Sequence, residues 1–188
     1  MNKLETLESK IRVKFNDQDL LKMALVHRSY LNEHKSFGLD HNERLEFLGD
    51  AVLELIVTEY LYTHYPNPEG ELTNWRSSLV NYRMLASRGD DLDMYPLMYL
   101  SRGELKDSNL KAKYYILANA YEALIGAIYL DQGFEVSRDF IMWHLIPEFE
   151  NILEKKLDLQ PLTNLTKRSM AELSKGAFLR DPKEFTVH

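Results

Sequence analysis

The sequence predicts an all-α protein, and three observations carry that expectation. Apolar residues recur at helical spacing through most of the chain, and no stretch alternates for the length of a strand. Two segments, from His41 and from Tyr114, hold a helical pattern over many turns. Pro66 and Pro68 follow the first, and Gly133 follows the second, where helix-stopping residues belong.

The chain of 188 residues is long enough for one domain with a buried core. It contains no cysteine, so disulfides and thiolate metal sites are excluded. No apolar run reaches membrane-spanning length, and the N-terminus is charged and amphipathic without a signal-peptide core. A soluble, cytoplasmic protein with no membrane partner is expected. The formal net charge is −6, which is unusual for a nucleic-acid binder taken as a whole. The charge is unevenly spread, however. Residues 155–188 hold seven Lys or Arg against four Asp or Glu, so the acidic excess lies before them.

Taken in order, Leu4, Leu7 and Ile11 mark a short amphipathic helix over residues 4–14. Asn16 or Asp17 caps a second helix carrying Leu20, Leu21, Ala24 and Leu25, which His27 to Tyr30 close. Residues 35–40 form a loop around Gly38. The next helix runs from Glu43 to His64, with Asn42 as its cap. Residues 69–87 form one helix, with Leu72, Leu79 and Leu85 inward and Arg76 and Arg83 outward. Gly89 breaks the chain, residues 91–99 form a short helix, and residues 101–113 are a polar segment. Residues 114–131 are apolar almost all round, as in a buried helix. Residues 135–154 form an amphipathic helix that Pro147 kinks or divides.

The functional signal sits in the two long helices. Glu43, Glu46, Asp50 and Glu54 fall on one stripe of the first, flanked by Phe47 and Leu53. Leu45, Leu48, Val52, Leu55 and Ile56 take the opposite side. Like charges a turn apart cost about 0.2–0.5 kcal/mol, so helix stability does not explain the stripe. A solvated face or a binding site does. In the second helix, Asn119 and Glu122 are the only strongly polar residues between Tyr115 and Asp131. A buried glutamate needs a partner. That partner is either a buried arginine or a cation shared with Glu46 and Asp50. Oxygen-only ligands suit Mg²⁺ or Mn²⁺.

ERLEFLGDAVL (43–53) resembles the signature of the ribonuclease III family. LVHRSY (25–30), PEGELTNWRSSLVN (68–81), LSRGE (100–104) and ILANAYEALIGAIYLDQG (116–133) extend the resemblance in the family's order and spacing. The resemblance implies a ribonuclease III endonuclease domain over residues 1–155, all-α and homodimeric. It implies Mg²⁺-dependent cleavage of double-stranded RNA, with Mn²⁺ able to substitute, leaving 5′-phosphate and 3′-overhang ends. Processing of rRNA and mRNA precursors is the implied role. Glu46, Asp50, Asn119 and Glu122 match the metal-binding positions, and Glu43 joins Glu46, Asp50 and Glu122 in the catalytic set. Glu43 and Glu69 match acidic positions of the RNA-cleavage valley, and Phe47 matches an aromatic that plugs the partner subunit.

Residues 156–188 are read as a basic linker or tail, in which DPKEF (181–185) resembles the opening of a double-stranded-RNA-binding domain. Residues 169–178 have the pattern of one short helix. One departure stands out: position 119 is usually Asp in the family and is Asn here. It lowers the expected charge of the metal site. Two competing functions remain open. One is a catalytically impaired, RNA-binding or ribosome-associated relative that binds duplex RNA without cutting. The other is a helical oligomerisation module. Arg28, Arg76, Arg83, Lys106, Lys111 and Lys113 are each either RNA contacts or ordinary surface cations.

Overall fold

The computed structural model describes residues 3–159, with side chains through Leu153. Readings made for residues 160–188, including the linker, the helix at 169–178 and the DPKEF segment, lie outside the described residues. The chain divides into two compact units after Phe149, and the packing discussed below belongs to the first.

Among the described residues, ten α-helices follow one another: α1 (Lys3–Ile11), α2 (Gln18–Ala24), α3 (Arg28–Glu33), α4 (Glu43–His64), α5 (Glu69–Leu79), α6 (Tyr82–Asp91), α7 (Arg102–Lys106), α8 (Leu110–Gln132), α9 (Phe134–His144) and α10 (Pro147–Leu159). A 3₁₀ turn, Tyr95–Leu97, lies between α6 and α7. The fold is all-α. Among the described residues the β-structure amounts to one isolated bridge, Val26 to Tyr99.

Helix α8 is the axis of the domain. Leu117, Ala120, Tyr121, Leu124, Ile125 and Ile128 are buried around it. Helix α4 makes its most extensive packing, α6 covers another side, and α2 and α9 complete the surround. From α4, Leu53, Ile56 and Val57 are essentially inaccessible, each contributing about 1.5–3 kcal/mol of burial. Midway along α8, the Tyr121 hydroxyl and His144 Nδ1 share a hydrogen bond of 2.9 Å. Burial lowers the His144 pKa to about 4.

Several boundaries differ from the sequence reading. His27 does not close α2; its side chain accepts from the Ser29 N–H and caps α3. Asn42 does not cap α4 through its side chain. It is buried, and its Nδ2 donates to the Ala24 carbonyl at 3.3 Å, tying α2 to the start of α4. The expected helix over 69–87 is two helices. Asn81 accepts from the Arg83 and Met84 N–H groups and so begins α6 afresh. Gly89 does not break the chain; it lies inside α6, packed on Leu117. The expected helix over 91–99 is the 3₁₀ turn alone. Pro147 divides the last segment into α9 and α10, and Gly133 ends α8 at φ +83°.

The faces of α4 also differ in one respect. Leu53, expected beside the acidic stripe, is fully buried, whereas Leu55, expected in the core, is 58% exposed. Phe47, Leu55 and Tyr62 are all exposed and fall within about 80° of arc. Helix α4 therefore has an apolar outer stripe as well as an inner one.

Candidate active site

Two glycines set the site. A Cβ on Gly49 would lie 1.8 Å from the Glu122 carbonyl oxygen. A Cβ on Gly126 would lie 2.2 Å from the Leu45 carbonyl oxygen. Helices α4 and α8 thus cross backbone against backbone. Glu46 and Asp50 flank Gly49 in sequence, and Glu122 lies one turn before Gly126. The crossing therefore brings Glu46 and Asp50 of α4 within electrostatic reach of Glu122 of α8.

The electrostatics record that convergence. Burial pushes the Glu122 carboxyl up to about 8, and the charges of Asp50 and Glu46 add to it. Burial also raises Glu46, with Glu43 and Asp50 adding to the shift, while a hydrogen bond from the Asn119 side chain opposes it. No Lys or Arg appears among the groups acting on either glutamate. The half-buried Arg88 turns instead to Glu148 at 2.9 Å and Asp91 at 2.7 Å. The alternative of a Glu122–arginine pair is thereby removed among the described residues.

The other acidic residues take different places. Glu43 stands at the rim, half-exposed, with Arg28 at 3.4 Å and His41 at 3.7 Å. Glu54, on the same stripe by spacing, pairs with Arg76 at 3.4 Å and leaves the cluster. Glu69 is exposed at the start of α5, where it accepts from Thr73 Oγ1 at 2.9 Å. It is not among the charges felt by Glu46 or Glu122. Phe47 points to solvent, 81% exposed. The sequence reading missed the ties of Arg28 and His41 to Glu43. Arg28 in LVHRSY and His41, two residues before Glu43, were the available signals.

The donor set can be tested against a metal. Among the described residues, no group of three or more His, Cys, Asp or Glu side chains is already placed to hold a metal ion. The cluster offers three carboxylates and one amide oxygen, with Glu46 and Glu122 both raised by burial first and then by the charges of neighbouring carboxylates. That arrangement suits a hard ion that keeps several waters and takes one or two carboxylates, as Mg²⁺ does. It does not suit a tight tetrahedral zinc site.

The family described as Ribonuclease-III-like matches residues 17–149. The chain belongs to the ribonuclease III family. The Ribonuclease 3 of Streptococcus gordonii is 43% identical over 169 residues, covering 86% of this chain and 72% of that protein. The Ribonuclease 3 of Desulforamulus reducens is 43% identical over 160 residues, covering 85% of this chain and 65% of that protein. The nuclease domain of ribonuclease III from Campylobacter jejuni superposes with a TM-score of 0.67 at 37% identity, covering 76% of this chain and 95% of that one. That structure is described as flexible in the region involved in dimer formation. Dicer from Pichia stipitis gives a TM-score of 0.58 at 29% identity, covering 80% of this chain and 64% of that one. The fold is that of a ribonuclease III nuclease domain, and the chain is a ribonuclease III-type endoribonuclease. No described helix is long and apolar enough to cross a membrane.

Proposed function

We propose that this protein is a divalent-metal-dependent endoribonuclease that cuts double-stranded RNA as a homodimer in the cytoplasm, acting on rRNA and mRNA precursors. The observation that carries the proposal is the gathering of Glu46, Asp50, Asn119 and Glu122 at the α4–α8 crossing without a balancing cation. When bound, a divalent ion supplies Lewis-acid polarisation of the phosphodiester and makes attacking water more acidic.

The chain's own groups have separable parts in this reading. Glu46, Asp50 and Glu122 hold the ion, with the Asn119 amide oxygen as a fourth donor. Glu122 is largely protonated at neutral pH in the free protein and gives up that proton on loading. Asn119 orients Glu46 through their hydrogen bond. Glu43 and Glu69 line the valley in which the duplex lies. Recognition is of A-form shape and 2′-hydroxyls rather than base sequence. The products are 5′-phosphates with short 3′ overhangs.

The outer stripe of α4 supports the dimer. Phe47, Leu55 and Tyr62 form an exposed apolar row that a second copy would cover, with Phe47 inserted into the partner. The amide at position 119 favours a second reading, in which the protein binds duplex RNA and cuts it poorly. Gel electrophoresis of a long duplex RNA separates the two. The main reading predicts Mg²⁺- or Mn²⁺-dependent fragments with 5′-phosphates. Binding without fragments in either metal contradicts it.

A further inference from the structure

A second cluster lies on the α6–α8 flank, outside both the acidic centre and the α4 stripe. Tyr82 opens α6, and Tyr115 stands in the second turn of α8. Their rings stack, with centroids 4.4 Å apart and planes within 16° of parallel. Each ring carries a cation. Arg83 lies 5.6 Å from the Tyr82 centroid, and its Nε donates to the Tyr82 hydroxyl at 3.0 Å. The Lys111 ammonium lies 5.9 Å from the Tyr115 centroid.

Charge and placement say what this surface takes. Arg28, Arg76, Arg88 and Arg138 all pair with carboxylates. Among the described residues, no ion pair includes Arg83 or Lys111. Both are exposed, as is Tyr115. In a chain of net charge −6, these are two cations held on aromatic faces and facing no acid. Lys111, Tyr115, Asn119 and Glu122 also fall on one stripe of α8. Tyr115 is about 10 Å and Lys111 about 16 Å from Glu122 along the helix axis. An acidic centre repels an RNA backbone, so adjacent unpaired cations that hold the strand supply what the centre lacks.

We propose that Tyr82, Arg83, Lys111 and Tyr115 form a clamp for the phosphate backbone of duplex RNA, beside the acidic centre of the same subunit. The proposal rests on the duplex-RNA reading above. The two cations contact phosphates, and the tyrosine hydroxyls donate to phosphate or 2′-hydroxyl oxygens. The stacked rings fix the geometry of both. No base edge is read, so the clamp is indifferent to sequence.

The test uses the full chain and an Arg83→Gln/Lys111→Gln double variant. Binding to a fluorescent duplex RNA is titrated in EDTA at several salt concentrations. The clamp predicts a loss of roughly tenfold in affinity per cation at about 0.1 M salt, and a salt slope shallower by about 2. In Mg²⁺ it predicts a raised KM with kcat within about twofold of the parent. A Tyr115→Phe variant keeps the stack and retains most of the affinity. Unchanged affinity and slope in the double variant overturn the proposal. A double variant that falls apart into monomers also overturns it, because the surface then belongs to the contact between copies. Parent protein that binds duplex with the predicted slope change but never cuts it sinks the nuclease reading and leaves the clamp standing. No duplex binding by the parent sinks both.

Discussion

Gly49→Ala is the perturbation that bears hardest on how the site is built. Inside a helix, alanine is favoured over glycine by about 1 kcal/mol, so propensity alone predicts stabilisation. The structure predicts the reverse. The added methyl would stand 1.8 Å from the Glu122 carbonyl oxygen and 2.8 Å from the Gly126 nitrogen. Both are backbone atoms of α8, so no side chain can swing aside. The helices must separate by about 1 Å or more at their crossing, and overpacking of this sort costs about 1–3 kcal/mol. The net effect is destabilisation by up to about 2 kcal/mol, a fall in Tm of several degrees. Activity falls further than stability, because Glu46 and Asp50 move with α4 while Asn119 and Glu122 stay with α8. A misplacement of about 1 Å at such a site costs on the order of 100-fold in rate. The assay pairs a thermal melt with duplex cleavage at a temperature where both proteins are folded. Gly70→Ala is the control, since nothing lies within 4 Å of that position. A Gly49→Ala protein that is more stable than the parent and cuts at a similar rate would refute the close-crossing argument.

Three further outcomes are expected. Glu122→Gln changes the pH dependence of stability in EDTA. The Glu122 pKa rises from 4.5 to about 8 on folding, so its contribution is fully present below 4.5 and is lost as the pH climbs through 8. The Gln variant should therefore gain on the parent across that window in a series of melts. A constant offset between the two at every pH would contradict the burial assigned to Glu122. His144 behaves in the opposite sense. Its pKa falls from 6.5 to about 4, so its contribution is complete above 6.5 and is lost as the pH falls toward 4. His144→Gln should flatten acid unfolding between those values. Finally, Phe47→Ala should loosen the dimer. Each of two copies loses about 1.5–3 kcal/mol of burial, so sedimentation should show the dissociation constant rising by at least about 100-fold.

The long helices were legible from the sequence because their signals are local and redundant. Helix α4 runs from Glu43 to His64 as apolar spacing and the following prolines indicate. Helix α8 ends at Gly133 as its stop signal requires. The short elements were less legible because one polar residue can either lie within a helix or start one. Asn81 and His27 were read inside or at the end of helices, yet both cap new ones. The exposure of Leu55 was hidden because α4 has two apolar faces, and periodicity cannot say which meets the core. The acidic residues were visible, but nothing local shows that Glu54 turns to Arg76, a residue of another helix, while Glu46 and Asp50 face α8. The roles of Gly49 and Gly126 were not legible at all. A glycine within a helix shows its purpose only when the backbone across from it is known.

The central claim is that the carboxylates at the α4–α8 crossing hold one divalent ion between them. Calorimetric titration of Mn²⁺ into the protein at pH 7.5, in two buffers of different ionisation enthalpy, tests it without RNA. The account predicts saturable binding with release of most of a proton, because Glu122 must ionise to coordinate, and a large loss of affinity in both Glu122→Gln and Asp50→Asn. Binding of equal strength in the parent and both variants, with no proton released, would contradict it.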